Sequence, residues 1–145
     1  MKNRYTTPLR LAALLALAAL PASPTPAFGG DATQADSDGP VVVGAVAVPS
    51  NVTAAQVKDA IVAAFMGREW TVREATGDHV TGHIKHRSHE AFMTANYTAA
   101  KVDLLCQSWK IDGSGAHIKF ELQRKWIAYV KEDLERNLLD RANGK

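Results

Sequence analysis

Apolar residues recur along this chain at two different spacings, and the changes of spacing mark its elements. VVVGAVAV, Val41 to Val48, is a β-branched run between Pro40 and Pro49, which predicts a strand. A helix follows. Thr53 with Gln56 three residues on forms a capping-box pattern, and Val57, Ala60, Ile61, Ala64 and Phe65 then repeat at helical spacing. Gly67 suits the left-handed residue that ends such a helix. Beyond it the period falls to two. Glu69 to Ala75, Val80 to Arg87, Ala91 to Tyr97 and Val102 to Trp109 each alternate as strands do, and the short links at Ser88–Glu90 and Thr98–Lys101 predict an antiparallel meander. Asp112 to Gly115 reads as a loop. From about Glu121 to Ala142 the helical period returns through Leu122, Trp126, Ile127, Val130, Leu134 and Leu138.

The expected fold class is therefore α+β, in the order β-α-β-β-β-β-α. An antiparallel meander sheet of about four or five strands carries both helices on one face and leaves the other face wet. Val80, Ile84, Met93, Ala95, Val102, Leu104 and Cys106 should point at the helices, and both Trp70 and Trp126 are expected in the core. On the outer face of the second helix, Lys131–Glu135 and Glu132–Arg136 are spaced as i,i+4 charge pairs, worth tenths of a kcal/mol each.

The first residues alter this picture by adding an address. Lys2, Arg4 and Arg10 precede and enter an apolar run, Leu11 to Leu20, and small residues with prolines follow from Pro21 to Ala27. That order marks a secretory signal peptide over 1–27, with cleavage after Ala27 or, second, Ala22. The run is shorter than the roughly 20 apolar residues a membrane span requires, so an uncleaved anchor is the weaker alternative. Residues 28–40 are small, polar and glycine-rich and read as a flexible tether, leaving 41–145 as a single domain. A periplasmic or secreted protein with no membrane span in its mature form is expected.

Charge then excludes a class of partner. The chain has 17 Lys and Arg against 15 Asp and Glu. Three of the basic residues and none of the acidic ones lie in residues 1–27, so the remainder carries 14 against 15, a net charge of −1. A nucleic-acid partner is not expected without a basic excess on the mature domain. Cys106 is the single cysteine, which rules out a disulfide within the chain; its apolar surroundings predict a buried thiol.

Candidate chemistry concentrates in GDHVTGHIKHRSHEA, residues 77–91, which holds four of the five histidines. His79, His83, His86 and His89 are the candidate metal ligands. On a helix three of them would share a face, but Gly77, Val80, Thr81 and Gly82 favour a strand. His79 and His83 then stand about 13 Å apart at ~3.3 Å per residue, too far for one zinc with ligands near 2 Å. A polar sheet face is the plainer reading. Asp103, Ser108 and His117 supply the residue types of a catalytic triad without any motif to group them. No nucleophile elbow, phosphate loop or zinc-protease motif is present.

The middle of the chain nevertheless resembles a family of small bacterial envelope proteins, often lipoproteins, with a pattern of the type RGW…PGxIxAxLxxRxHxAxVxIxY…S…W. The matching positions begin at Arg68, Trp70, Gly77, Val80, Gly82 and Ile84. They continue through Arg87, His89, Ala91, Met93, Ala95 and Tyr97 to Ser108 and Trp126. The chain has GREW in place of RGW, no lipid-attachment cysteine, and QRK before Trp126. The resemblance implies an envelope location and this fold, and no activity. It directs attention to Arg87, His89, Tyr97 and Ser108 as candidate binding residues; at the turn, Arg87 and His89 could donate to unpaired backbone carbonyls. The leading expectation is a non-enzymatic domain, without cofactor, that binds an envelope protein or small ligand or supports the envelope. The alternative is weak zinc or copper binding through the histidine stretch, and an enzyme ranks third.

Overall fold

The computed structural model describes residues 39–145; the expected signal peptide and nearly all of the expected tether lie outside the described residues. The elements are β1 (Val41–Ala47), α1 (Ala54–Met66), β2 (Thr71–Ala75), β3 (His79–His86), β4 (His89–Tyr97), β5 (Lys101–Ile111), β6 (His117–Phe120) and α2 (Arg124–Ala142). The fold is α+β, with an antiparallel meander sheet in the order β1-β5-β4-β3-β2. One strand exceeds the expected number. β6 pairs with the end of β5, Trp109 opposite Phe120, on the same side of β5 as β1. It escaped the period-two reading because HIKF is short and largely exposed, so that backbone pairing rather than burial defines it.

The same pairing delays α2. The amide of Glu121 donates to the carbonyl of Ser108 at 2.8 Å, continuing the β6 ladder, and the helix starts at Arg124 instead of Glu121. At the head of α1 the capping box forms as the sequence predicts, with Thr53 Oγ1 accepting from the Gln56 amide and Gln56 Oε1 accepting from the Thr53 amide. Its end departs from expectation. Gly67 is right-handed at φ −65°, and the left-handed residue is Glu69 at φ +64°. The amide of Trp70 then returns to the carbonyl of Phe65, which swings the indole beneath the helix.

Both helices pack into one core with the inner face of the sheet. Val80, Met93, Ala95, Val102, Leu104 and Cys106 are buried there as predicted, with Ile84 partly buried against them. Large side chains such as Phe65, Ile61, Leu134 and Leu138 are fully enclosed, each contributing about 1.5–3 kcal/mol of apolar burial. Gly82 permits a close approach between the layers, since a Cβ there would lie 3.1 Å from the Phe65 ring. Trp70 is core, whereas Trp126, in the first turn of α2, is only half-buried. The helix layer is fastened by one ionic clasp. Asp133 of α2 is buried and holds the Arg68 guanidinium bidentately and Arg136 at 2.6 Å, while Arg68 also lies 4.7 Å over the Tyr129 ring.

Candidate functional site

The register of the meander decides what collects on the sheet face away from the helices. β3 and β4 pair without a bulge, so His83 stands opposite Phe92 and Lys85 opposite Glu90. β4 and β5 pair as evenly, setting Glu90 opposite Trp109 and Phe92 opposite Gln107. β6 adds Phe120 beside Trp109 and brings in His117. The outcome is a built cluster rather than a merely wet face. His83 stacks on Phe92 at 4.5 Å between ring centroids, and His117 stacks on Trp109 at 4.3 Å and 5°. Phe92 and Phe120 meet Trp109 edge-on at 6.2 and 6.1 Å.

Glu90 sits at the centre. Its Oε1 lies 2.8 Å from His83 Nε2 and its Oε2 2.9 Å from His117 Nε2, and its side chain is only 16% exposed. The hydrogen bond from His117, then that from His83, holds the carboxyl below its ordinary range although burial pushes it the other way. The bulge in β2 between Val72 and Glu74 frees Arg73 to reach His83 Nδ1 at 3.0 Å. A guanidinium can only donate, so His83 Nδ1 accepts and its Nε2–H points to Glu90. Glu90 Oε2, a carboxylate oxygen, accepts from His117 Nε2, and the His117 side chain is 41% exposed. Phe92, 40% exposed, is the open aromatic surface of the cluster.

Both oxygens of Glu90 are engaged by imidazoles, and the aromatic rings around it form a continuous surface on the open face.

The residues singled out from sequence lie elsewhere, His83 excepted. His79 is at the far end of β3, where Asp78 at 2.8 Å and then Glu74 raise its pKa. His86 and His89 face the helices and flank Trp126 edge-on at 6.5 and 6.3 Å, with Glu121 3.9 Å from His89. The four candidate metal ligands therefore do not converge. Among the described residues no three His, Cys, Asp or Glu side chains are arranged to hold a metal ion.

Arg87 occupies the tip of the β3–β4 turn at φ +55°, exposed, and among the described residues no hydrogen bond or ion pair engages its side chain. Tyr97 is buried and its hydroxyl donates to the Thr76 carbonyl at 2.7 Å, a clasp on the β2–β3 turn; burial raises its pKa. Ser108 is fully buried on the helix side, with no hydrogen-bond partner for Oγ among the described residues. It therefore faces away from His117, and Asp103 is paired with Lys101 at 2.7 Å, so the imagined triad is not assembled.

Sequence reasoning missed Glu90, Phe92, Trp109 and Phe120, and singled out His117 only as a possible triad member. The available signal was alternation itself, which places Phe92 and Trp109 on the face expected to be polar. Compared with known protein families, curated proteins and solved structures, the chain matches none.

Proposed function

We propose that this is a periplasmic or secreted, non-enzymatic domain that binds an envelope protein or a small ligand through its open sheet face. The observation that carries this reading is the rigid aromatic and imidazole cluster around Glu90, with Phe92 exposed at its surface. Large aromatic groups held in place lose little conformational freedom when a partner arrives, which is why such groups dominate recognition surfaces. The charged, apolar and small-residue order of residues 1–27 supports the compartment. The resemblance to envelope proteins agrees with it. Among the described residues no helix is long and apolar enough to cross a membrane.

The test is an NMR titration of the labelled chain with separated envelope fractions: soluble glycan, lipid vesicles and envelope proteins. One fraction should shift the Trp109 indole and the His117 and Phe92 ring signals. The response should disappear in Phe92→Ala and persist in His86→Ala. Shifts confined to the helix side would refute the assignment of the face. Intact-mass measurement on protein from the native host should show a chain beginning near Phe28, and a species retaining Met1 would refute the compartment.

A further inference from the structure

We infer that the end of the sheet beside the β3–β4 turn is a second interaction surface, and that it docks on an anionic lipid bilayer. The register builds it. His86 stands opposite His89, His89 opposite Lys110, and Lys110 opposite Lys119, so four strands contribute to one transverse row. Residues directly opposite in a ladder share a face, and His86 and His89, beside Trp126, place this row on the helix side. At about 4.8 Å between strands the row is roughly 14 Å long. α2 does not cover it. The helix starts at Arg124, and its Trp126 indole reaches His86 and His89 edge-on at 6.5 and 6.3 Å, while Lys110 and Lys119 stay exposed.

Positive charge is concentrated at this end and left unmatched. Among the described residues His86, Lys110 and Lys119 meet no acid at ion-pair distance; within the row His89 alone does, with Glu121 at 3.9 Å. Arg87 lies exposed at the turn tip without a partner, and α2 opens on Arg124 and Lys125 with no acid in its first turn. Cations at a helix N-terminus oppose the macrodipole, so their placement does not serve the helix. Nor does it reflect a generally basic protein, since residues 28–145 carry 14 basic against 15 acidic side chains.

Three features select a bilayer as the occupant. The charges lie along a line as separate points, the lysines among them on long flexible stems, which suits headgroups that move laterally; an acidic peptide or a lone phosphate calls for convergent, fixed donors. Trp126, partly buried at one end of the line, has the amphipathic ring that settles at headgroup depth. A nucleic acid would call for a basic excess over the whole domain, which the charge balance denies. The row and the Glu90 cluster lie on opposite faces of the sheet, so docking leaves the open face free, and neither reading depends on the other.

The test is flotation of the chain purified from its native host with vesicles of phosphatidylcholine alone or of an equal mixture with phosphatidylglycerol. Binding should require the anionic lipid and weaken about tenfold or more as salt rises from about 50 to 300 mM. Lys110→Glu and Lys119→Glu, both at exposed positions, should each lower partitioning about tenfold or more, and Arg87→Ala about fivefold, with unchanged circular-dichroism melts. Lys101→Glu, the same charge change at the other end of β5, should alter partitioning less than about twofold. Bromine-labelled acyl chains should quench the tryptophan emission of the wild type and much less that of Trp126→Phe. No binding, equal binding to neutral vesicles, equal sensitivity to Lys101→Glu, or quenching that Trp126→Phe leaves intact overturns the proposal. So does capture by soluble polyglutamate or duplex DNA that equals or exceeds vesicle binding at the same salt. None of these outcomes bears on the open face, which is scored on Trp109, His117 and Phe92.

Discussion

Replacing Arg68 with methionine removes the guanidinium that grips Asp133 and lies over Tyr129, while keeping an unbranched apolar side chain at this position. Asp133 is 5% exposed, so the variant strands a carboxylate in a poorly hydrated site. Removing one partner of a buried ion pair costs about 3–5 kcal/mol. Two facts reduce that here. Arg68 itself is 34% exposed, so water screens its side of the pair, and Arg136 still holds Oδ1. The expected loss is about 2 kcal/mol, which at a urea slope of ~1–3 kcal/mol/M shifts the midpoint by roughly 1 M.

Acid supplies the independent check on Arg68. The Arg68 hydrogen bond, foremost, lowers the Asp133 pKa in the folded chain. A depressed carboxylate gives stability that is present above its unfolded value, about 3.9, and is lost as pH falls through the folded value. The gap between wild type and Arg68→Met should therefore be full near pH 7 and close as pH falls through the folded value. Replacing both partners, Arg68→Met with Asp133→Leu, should recover much of the loss. A midpoint shift smaller than about 0.3 M, or a gap that does not shrink in acid, would refute the clasp as a source of stability.

Arg87 holds a left-handed backbone that costs an L-residue about 1–2 kcal/mol, so Arg87→Gly should stabilise by roughly 1 kcal/mol while Arg87→Ala stays near neutral, both read in urea melts. Burial pushes the Cys106 thiol up to about 12. It should stay unreactive toward a disulfide reagent near pH 8 and react at the rate of unfolding, whereas immediate labelling would place it at the surface. Trp126→Ala should cost about 1–3 kcal/mol, below the ~3–5 of a fully enclosed aromatic, because part of the indole already meets solvent. A loss above about 4 kcal/mol would mean that the indole is core after all.

Local signals in the sequence were legible wherever one face of an element is buried. The α1 cap, its stripe from Val57 to Phe65, and the alternation through β3, β4 and β5 all follow from neighbours a few residues apart. What stayed hidden depends on register between distant segments. Glu90 meets His117 only because β6 folds back on β5, and nothing within HIKF announces that pairing. Gly67 carried the expected signal for a left-handed end, yet Glu69 took that conformation because the chain turns to carry Trp70 beneath the helix. Trp126 fits the apolar stripe by spacing, but its place in the first turn, beside His86 and His89, leaves it at the edge of the core. The candidate site suffered most, since alternation assigned Phe92 and Trp109 to a polar face without saying that they meet.

The pairing of Val41 with Cys106 also fixes an order of events during biosynthesis. β3, β4 and β5 are joined by short turns, and such hairpins close in about 1–10 µs once the chain is available. β1 leaves the ribosome first but has no partner until β5 follows, which at 5–20 residues per second is a wait of roughly 3–13 s. For that interval an uncharged β-branched segment is exposed, the type of sequence that associates with foreign strands. Its docking closes the longest loop in the sheet and belongs late on the pathway. Substitutions in β1 should accordingly speed unfolding and leave the refolding rate nearly unchanged, while those in the β3–β4–β5 hairpins slow refolding. The segment that starts the domain is the last to become part of it.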